Sequence, residues 1–220
     1  MKSLNQLLLD FEHKQNFSDD DFYVGKSNFY PFELINKWPK WEKNFLNISG
    51  EKFSGKTHLI NIFLKKFKGI RLESKDLNEG KLDLIKAHQN FILEDLSLDI
   101  NEKLIYTLFN LIEQNDKFLI VTSTKPIVEL SFKLEDLRSR AKNCLLAKIE
   151  NPDDELMFAL ILKNFSDRQI LIDKKLIDFI IKRIDRSYDK IFEFIYKIDE
   201  ISLKKKKSID FKIINEVLKV

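Results

Sequence analysis

The chain has 220 residues, of which 44% are hydrophobic, so it can bury the core of one ordinary domain and a small appendage. A single cysteine, Cys144, excludes an intrachain disulfide framework, and no stretch approaches the roughly 18 apolar residues of a membrane span. The net charge of +3 gives no overall electrostatic reason for nucleic-acid binding, so any contact with DNA is expected to be indirect. We therefore expect a soluble, cytoplasmic protein without a secretion signal or membrane anchor.

Residues 1–21 are predicted to form a tail, because apolar residues are few after Phe11 and the segment ends in an acidic, turn-prone cluster. Within this tail, Gln6-Leu7-Leu8-Leu9-Asp10-Phe11 carries apolar anchors that can dock into a groove on a partner. The alternative is an N-terminal helix that packs on its own domain, and the residues alone favour that alternative.

From about residue 44, short apolar strands alternate with amphipathic helices. The strands are predicted at 45–48, 70–72, 90–93, 118–121 and 144–149. Helices are predicted at 31–38, 56–67 and 101–114. This alternation predicts an α/β fold with a parallel sheet covered on both faces.

After Asn151-Pro152 the strand signals stop. Helices are predicted at 153–165, 173–185, 188–202 and 209–219, and the Pro and Asp residues near 152 mark the first helix start. We therefore place a boundary near residue 150, with an α/β domain at 22–150 and a small all-helical domain at 151–220.

The segment Gly50-Glu51-Lys52-Phe53-Ser54-Gly55-Lys56-Thr57 follows a predicted strand and opens a predicted helix. Gly50 and Gly55 allow backbone angles that let successive N–H groups, including that of Ser54, surround phosphate oxygens at the helix N-terminus. Lys56 supplies a positive charge to the phosphates, and Thr57 offers a hydroxyl to Mg²⁺. The loop therefore predicts a site for ADP or ATP with Mg²⁺, and this context disfavours an ordinary turn.

Two further predicted strands end in residues suited to phosphate chemistry. Phe91-Ile92-Leu93 is followed by Glu94 and Asp95, where a metal ligand and an acid that controls the attacking water are expected. The common order is Asp and then an acid, so this reversed order predicts poor hydrolysis; the alternative is a pair of solvent-exposed acids. Thr122, at the next strand end, could reach the γ-phosphate, or it could simply belong to a strand-ending turn.

The segment Asp136-Leu137-Arg138-Ser139-Arg140 places two guanidinium groups near the predicted domain edge. Such a group can reach the nucleotide of a neighbouring molecule and stabilise charge on the transferring phosphoryl oxygens. A surface ion pair with Glu135 or Asp136 is the alternative, and the residues alone favour it.

Taken together, these motifs resemble the AAA+ family of the replication initiator DnaA and its relatives. Four segments carry the resemblance: Phe22-Tyr23-Val24-Gly25-Lys26-Ser27-Asn28, Gly50 to Thr57 with His58-Leu59, Asp136 to Arg140, and the C-terminal stretch from Ile181 to Val220. The C-terminal stretch is similar to the lid of the short DnaA homologues of the Hda group, the regulatory inactivators of DnaA. A chain that stops after the lid would lack the initiator's DNA-binding domain, as that group does.

The resemblance implies an AAA+ P-loop core with a five-stranded parallel sheet, followed by a helical lid domain. It places Val24, Gly25 and His58 at the nucleotide, makes Thr122 a sensor of the γ-phosphate, and has Arg140 act in trans. The lid arginine of the family is missing, because Asp189 occupies its place, and Lys190 is the candidate substitute.

The resemblance also changes the interpretation of the tail, because Gln6, Leu7, Leu9 and Phe11 look like the sliding-clamp motif of that group. The expected partners are then the β subunit sliding clamp and DnaA, with a homodimer possible. The expected function is the clamp-bound promotion of hydrolysis of DnaA-bound ATP, with weak hydrolysis by this chain alone. Another DnaA-related adaptor or helicase loader, or a small P-loop kinase, is the alternative.

Overall fold

The computed structural model describes residues 22–205 and 207–218, so the predicted clamp motif lies outside the described residues. Five strands form one sheet: β1 (Phe45–Ser49), β2 (Ile70–Glu73), β3 (Asn90–Leu96), β4 (Phe118–Ser123) and β5 (Leu145–Lys148). Every pairing is parallel, and the strand order is β2-β3-β4-β1-β5. The predicted α/β fold with a five-stranded parallel sheet is confirmed.

Six helices accompany the sheet: α1 (Phe29–Lys37), α2 (Lys56–Lys66), α3 (Glu79–Leu82), α4 (Leu84–Ala87), α5 (Glu102–Gln114) and α6 (Glu135–Lys142). Successive strand residues point to opposite faces, so Phe91 and Leu93 pack in the cluster that contains α5 and α6. Ile92, between them, packs with α1 and α2 on the other face. Both faces are therefore covered, as a parallel sheet requires.

The strand order brings three carboxyl ends together, because β4 lies between β3 and β1. The glycine loop leaves β1, the two acids end β3, and Thr122 lies at the end of β4. Between Leu93 and Leu96 the register with β4 shifts, and Asp95 has a positive φ of 53°. This bulge turns the end of β3 at the edge of the sheet where ligands usually bind in open α/β folds.

Four helices follow the sheet: α7 (Asp154–Asp167), α8 (Lys174–Ile181), α9 (Tyr188–Lys205) and α10 (Phe211–Leu218). Their apolar faces form a cluster of their own, with Ile161, Ile195 and Ile214 fully buried. The predicted helix 173–185 is too long, because α8 ends at Ile181 and a turn leads to α9. No helix within residues 22–205 and 207–218 is long and apolar enough to cross a membrane.

Candidate functional site

The glycine loop between β1 and α2 is held tightly. A Cβ atom on Gly50 would lie 2.7 Å from the Ser54 hydroxyl and 3.0 Å from the Ile149 Cβ, so only glycine fits there. Gly55 has a φ of 94°, in the region that favours glycine, and Phe53 also has a positive φ of 63°. These backbone angles are compatible with a curled loop whose N–H groups surround an anion at the start of α2.

Lys56 is buried under this loop, with only 7% of its surface exposed. Its Nζ donates to the carbonyl oxygens of Gly50 and Glu51, both at 2.9 Å. Burial lowers the pKa of Lys56, and the nearby carboxylates of Asp95, Glu94 and Glu51 partly oppose that change. The ammonium thus lies beside the loop and donates to two neutral carbonyl oxygens. A negatively charged phosphate oxygen can replace these acceptors and form a stronger hydrogen bond.

Glu94 lies next to Thr57 at the end of β3 and is 2% exposed. Arg71 of β2 forms an ion pair with its carboxylate. Burial raises the pKa of Glu94, while Arg71 and the Thr57 hydroxyl act in the opposite direction. The sequence analysis missed Arg71, because its pairing beside Ile92, two residues before Glu94, is set only in the folded sheet.

A divalent cation is compatible with this pair of residues. The Glu94 Oε1 atom is buried and has no hydrogen-bond partner, although buried polar atoms nearly always have one. A hydroxyl next to a carboxylate with a free oxygen is a donor set that Mg²⁺ prefers. Thr57 and Glu94 would therefore hold Mg²⁺ directly or through its water molecules.

Asp95 and Thr122 lie at neighbouring strand ends, as predicted. The Asp95 side chain is exposed and lines the cavity described below, while its backbone N–H donates to the Thr122 hydroxyl at 2.9 Å. Thr122 is 1% exposed, so its hydroxyl supports the bulge that carries Asp95. Its proton remains available for a second contact, and the predicted sensor role stays a prediction.

A cavity of about 370 Å³ opens between the glycine loop and the C-terminal helices, within the size range of small-molecule sites. The loop side is polar and includes Lys52, Lys56 and Thr57. The lining also includes aromatic and apolar side chains: Phe22 and His58, in edge contact at 5.0 Å, and Leu156 from α7. Polar groups for phosphates together with apolar groups for a base match a nucleoside phosphate.

The predicted site residues outside the cavity lining, besides Arg140, are Val24, Gly25, Gly50, Glu94, Thr122 and Lys190; the neighbours Phe22, Tyr23 and Asn28 line it. Gly25 instead donates its N–H to the Asn28 side chain at 2.8 Å. Lys190 is exposed and pairs with Glu193 at 2.9 Å. The cavity is also lined by Lys163 of α7 and by Tyr188 and Phe192 of α9, none of which was predicted as a site residue.

Arg140 lies on α6, whose residues do not contribute to the cavity lining. Its guanidinium forms an ion pair with Glu113 of α5, and its side chain is 28% exposed. The predicted alternative partners were Glu135 and Asp136, so an ion pair does form, but with a different carboxylate. Arg138, two residues earlier, is exposed and borders a separate small cavity of about 200 Å³.

The site can now be compared with known proteins. No protein-family model matches the sequence. The chromosomal replication initiator protein DnaA of Helicobacter hepaticus is 25% identical over 228 residues, which cover 92% of this chain and 50% of that protein. The chain thus spans about half the length of this relative. A Haemophilus influenzae protein described only as uncharacterized is 25% identical over 227 residues, covering 97% of this chain and 98% of that protein.

The solved structures define the fold class. Domain III of Thermotoga maritima DnaA superimposes with a TM-score of 0.74 at 20% identity, covering 92% of this chain and 95% of that domain. The RuvB Holliday junction branch migration motor of the same organism superimposes with a TM-score of 0.67 at 17% identity, covering 93% of this chain and 72% of the RuvB chain. AMPPCP-bound DnaA from Aquifex aeolicus superimposes with a TM-score of 0.64 at 20% identity, covering 85% of this chain and 68% of the DnaA chain. The chain therefore has the AAA+ fold, and we refer to α7–α10 below as the lid. Within that class it is similar in sequence to DnaA.

Proposed function

We propose that this chain is a nucleotide-binding AAA+ protein of the DnaA replication-initiation system. The observation that carries the proposal is the cavity between the glycine loop and the lid, with the buried Lys56 ammonium at its polar end. The similarity to DnaA and the AMPPCP bound to its Aquifex aeolicus structure support a nucleoside phosphate as the ligand. ADP and ATP are the proposed occupants.

In this arrangement the backbone N–H groups of the loop and the Lys56 ammonium hold the phosphates. Thr57 and Glu94 hold Mg²⁺, which when bound neutralises phosphate charge. Phe22 and His58 cover the base, together with Leu156 of the lid. The lid therefore completes the site, so a bound nucleotide would influence where the lid lies.

We expect this chain alone to hydrolyse ATP slowly, well below about 1 s⁻¹. Asp95 has the position of the water-controlling acid, but its side chain is one methylene shorter than that of a glutamate. The basic residues lining the cavity in the described part of the chain are Lys52, Lys56 and Lys163, so no lid guanidinium reaches the phosphates. Phosphate release at saturating Mg-ATP checks this expectation, and turnover of about 1 s⁻¹ or faster would contradict it.

More specifically, we propose that the chain acts as a regulatory inactivator of DnaA, like the Hda group. Bound to the sliding clamp through Gln6, Leu7, Leu9 and Phe11, it would present Arg140 to ATP on DnaA. The partner's triphosphate must then displace Glu113 from the guanidinium. Phosphate oxygens carry more charge than one carboxylate, and the partly exposed Arg140–Glu113 pair is the weak, screened kind that can be exchanged.

The tail carries a separate prediction. Replacing Gln6 and Leu9 together by alanine is expected to weaken clamp binding by about tenfold or more, because apolar anchors supply most of the affinity of such short motifs. Surface plasmon resonance on immobilised β clamp measures the change. The matched control is Asn5→Ala, next to the motif, which should bind like wild type. Equal binding by the double variant would refute the clamp motif.

The proposal is tested by hydrolysis of DnaA-bound ATP in the presence of this protein, DNA and loaded clamp. We expect hydrolysis to accelerate only when clamp and wild-type protein are both present. If the protein binds nucleotide and clamp but leaves the DnaA rate unchanged, the second candidate holds: a DnaA-related adaptor or helicase loader. The ion pair that occupies Arg140 is the observation that favours this second candidate.

A further inference from the structure

Glu51, the second residue of the glycine loop, makes contacts that have no part in the nucleotide binding or in the role of Arg140 proposed above. Its carboxylate accepts a hydrogen bond from the Ser187 hydroxyl at 2.7 Å and another from the Tyr188 backbone N–H at 2.7 Å. Tyr188 is the first residue of α9 and Ser187 directly precedes it, more than 130 positions later in the chain than Glu51. A loop carboxylate therefore caps the positive end of a lid helix, which is the stabilising arrangement of charge and dipole.

The same part of α9 is attached to the core at two more points. The Ser187 hydroxyl, which donates to Glu51, also accepts from the Lys190 N–H at 3.3 Å, so it caps its own helix as well. Tyr188 is 2% exposed and its hydroxyl lies 3.3 Å from that of Ser27. The Phe53 ring of the loop stacks on Phe192 of α9, with centroids 4.8 Å apart.

Glu51 also touches the phosphate-binding lysine. Its backbone carbonyl accepts from the Lys56 ammonium at 2.9 Å, while its side chain holds α9. When a phosphate takes the ammonium, that carbonyl loses its partner and the loop residue that holds the lid changes its environment. Lys190, the candidate substitute for the missing lid arginine, forms an ion pair with Glu193 instead.

We propose that Glu51 is a positioning residue that couples nucleotide phosphate at the loop to the position of the lid. This inference rests on the proposed nucleotide function and deepens it, because it assigns regulation of the site to the loop itself. The coupling passes from phosphate to Lys56, to the Glu51 backbone, and through the Glu51 carboxylate to α9.

Hydrogen exchange of the peptide 188–195 tests the proposal on the full chain, without nucleotide and with saturating Mg-ADP. In Glu51→Ala, exchange without nucleotide should be about tenfold faster, because two charge-assisted hydrogen bonds are lost. The slowing caused by ADP should shrink to less than half of the wild-type effect. Glu51→Gln, which keeps an acceptor but loses the charge, should lie between the two and guards against a folding defect.

Glu193→Gln is the matched control, since it changes a carboxylate on the same helix that does not contact the loop, and it should respond to ADP like wild type. Tyr188 and Phe192, which line the cavity, are unchanged in every variant. Any direct protection of the peptide by ADP bound next to them is therefore expected in all variants. If Glu51→Ala binds ADP and shows the full wild-type slowing, the coupling role is overturned. Calorimetry on the same samples separates the two claims: a wild type that binds neither ADP nor ATP refutes the proposed function, and the coupling with it.

Discussion

Arg140→Ala is expected to reduce the clamp-dependent hydrolysis of DnaA-bound ATP by about 10³–10⁵-fold, the loss typical of an arginine finger. The guanidinium would stabilise charge on the transferring phosphoryl oxygens of the partner's nucleotide, and alanine removes that charge entirely. Within this chain the change only frees Glu113, an exposed residue, so folding and ADP binding should be retained. Single-turnover hydrolysis of radiolabelled ATP on DnaA measures the effect.

Two matched variants make this result specific. Arg138→Ala removes an exposed guanidinium from the same helix, and the hydrolysis rate should stay within about threefold of wild type. Glu113→Ala releases Arg140 from its ion pair, so hydrolysis should be unchanged or faster. If Arg138→Ala lowers the hydrolysis rate as much as Arg140→Ala does, α6 contributes a general basic contact to DnaA rather than one arginine that acts on the phosphate. An unchanged rate in Arg140→Ala would remove the proposed role altogether.

Lys56→Ala is expected to weaken ADP binding by about 100-fold or more. The ammonium is buried beside the loop and would exchange two carbonyl acceptors for phosphate oxygens, and each charged hydrogen bond contributes about 1.5–3 kcal/mol. Isothermal calorimetry with Mg-ADP measures the change, and thermal unfolding verifies that the variant is folded. Lys66→Ala, an exposed lysine at the other end of α2 and outside the cavity lining, is the control and should bind within about threefold of wild type. Tight ADP binding by Lys56→Ala would contradict the assigned phosphate site.

Much of the fold could be predicted because hydrophobic periodicity reports which segments are buried. All five strands were found. The ends of β1, β2 and β4 were underestimated by one or two residues and that of β3 by three, and β5 was overestimated by one residue at each end. The helix α6 was not predicted, since it is mostly charged and buries only Leu137 and Ala141. The predicted helix at 173–185 was longer than α8 because Ile184 continues the helical spacing of apolar residues. In the structure Ile184 follows the end of α8 and still packs against the apolar cluster of the lid.

The candidate site could be predicted where its residues belong to one short sequence motif. It could not be predicted where its contacts join residues that are far apart in the sequence. Lys56, Thr57 and Glu94 were identified because the glycine loop and the apolar strand are local signals. The contact of Glu51 with Ser187 and the ion pair of Arg71 with Glu94 join residues that only the folded chain brings together. No periodicity marks such pairs, and a polar loop residue looks like any solvent-exposed one.

The central claim is that the cavity under the lid is a nucleotide site, and one measurement tests it most directly. Nucleotide-free wild-type protein is titrated with ADP, and separately with ATP, in the presence of Mg²⁺ by isothermal calorimetry. The structure predicts saturable binding to a single site, with a Kd below about 100 μM, for at least one of the two nucleotides. Folded protein that shows no saturable binding to either nucleotide at about 1 mM would contradict the account.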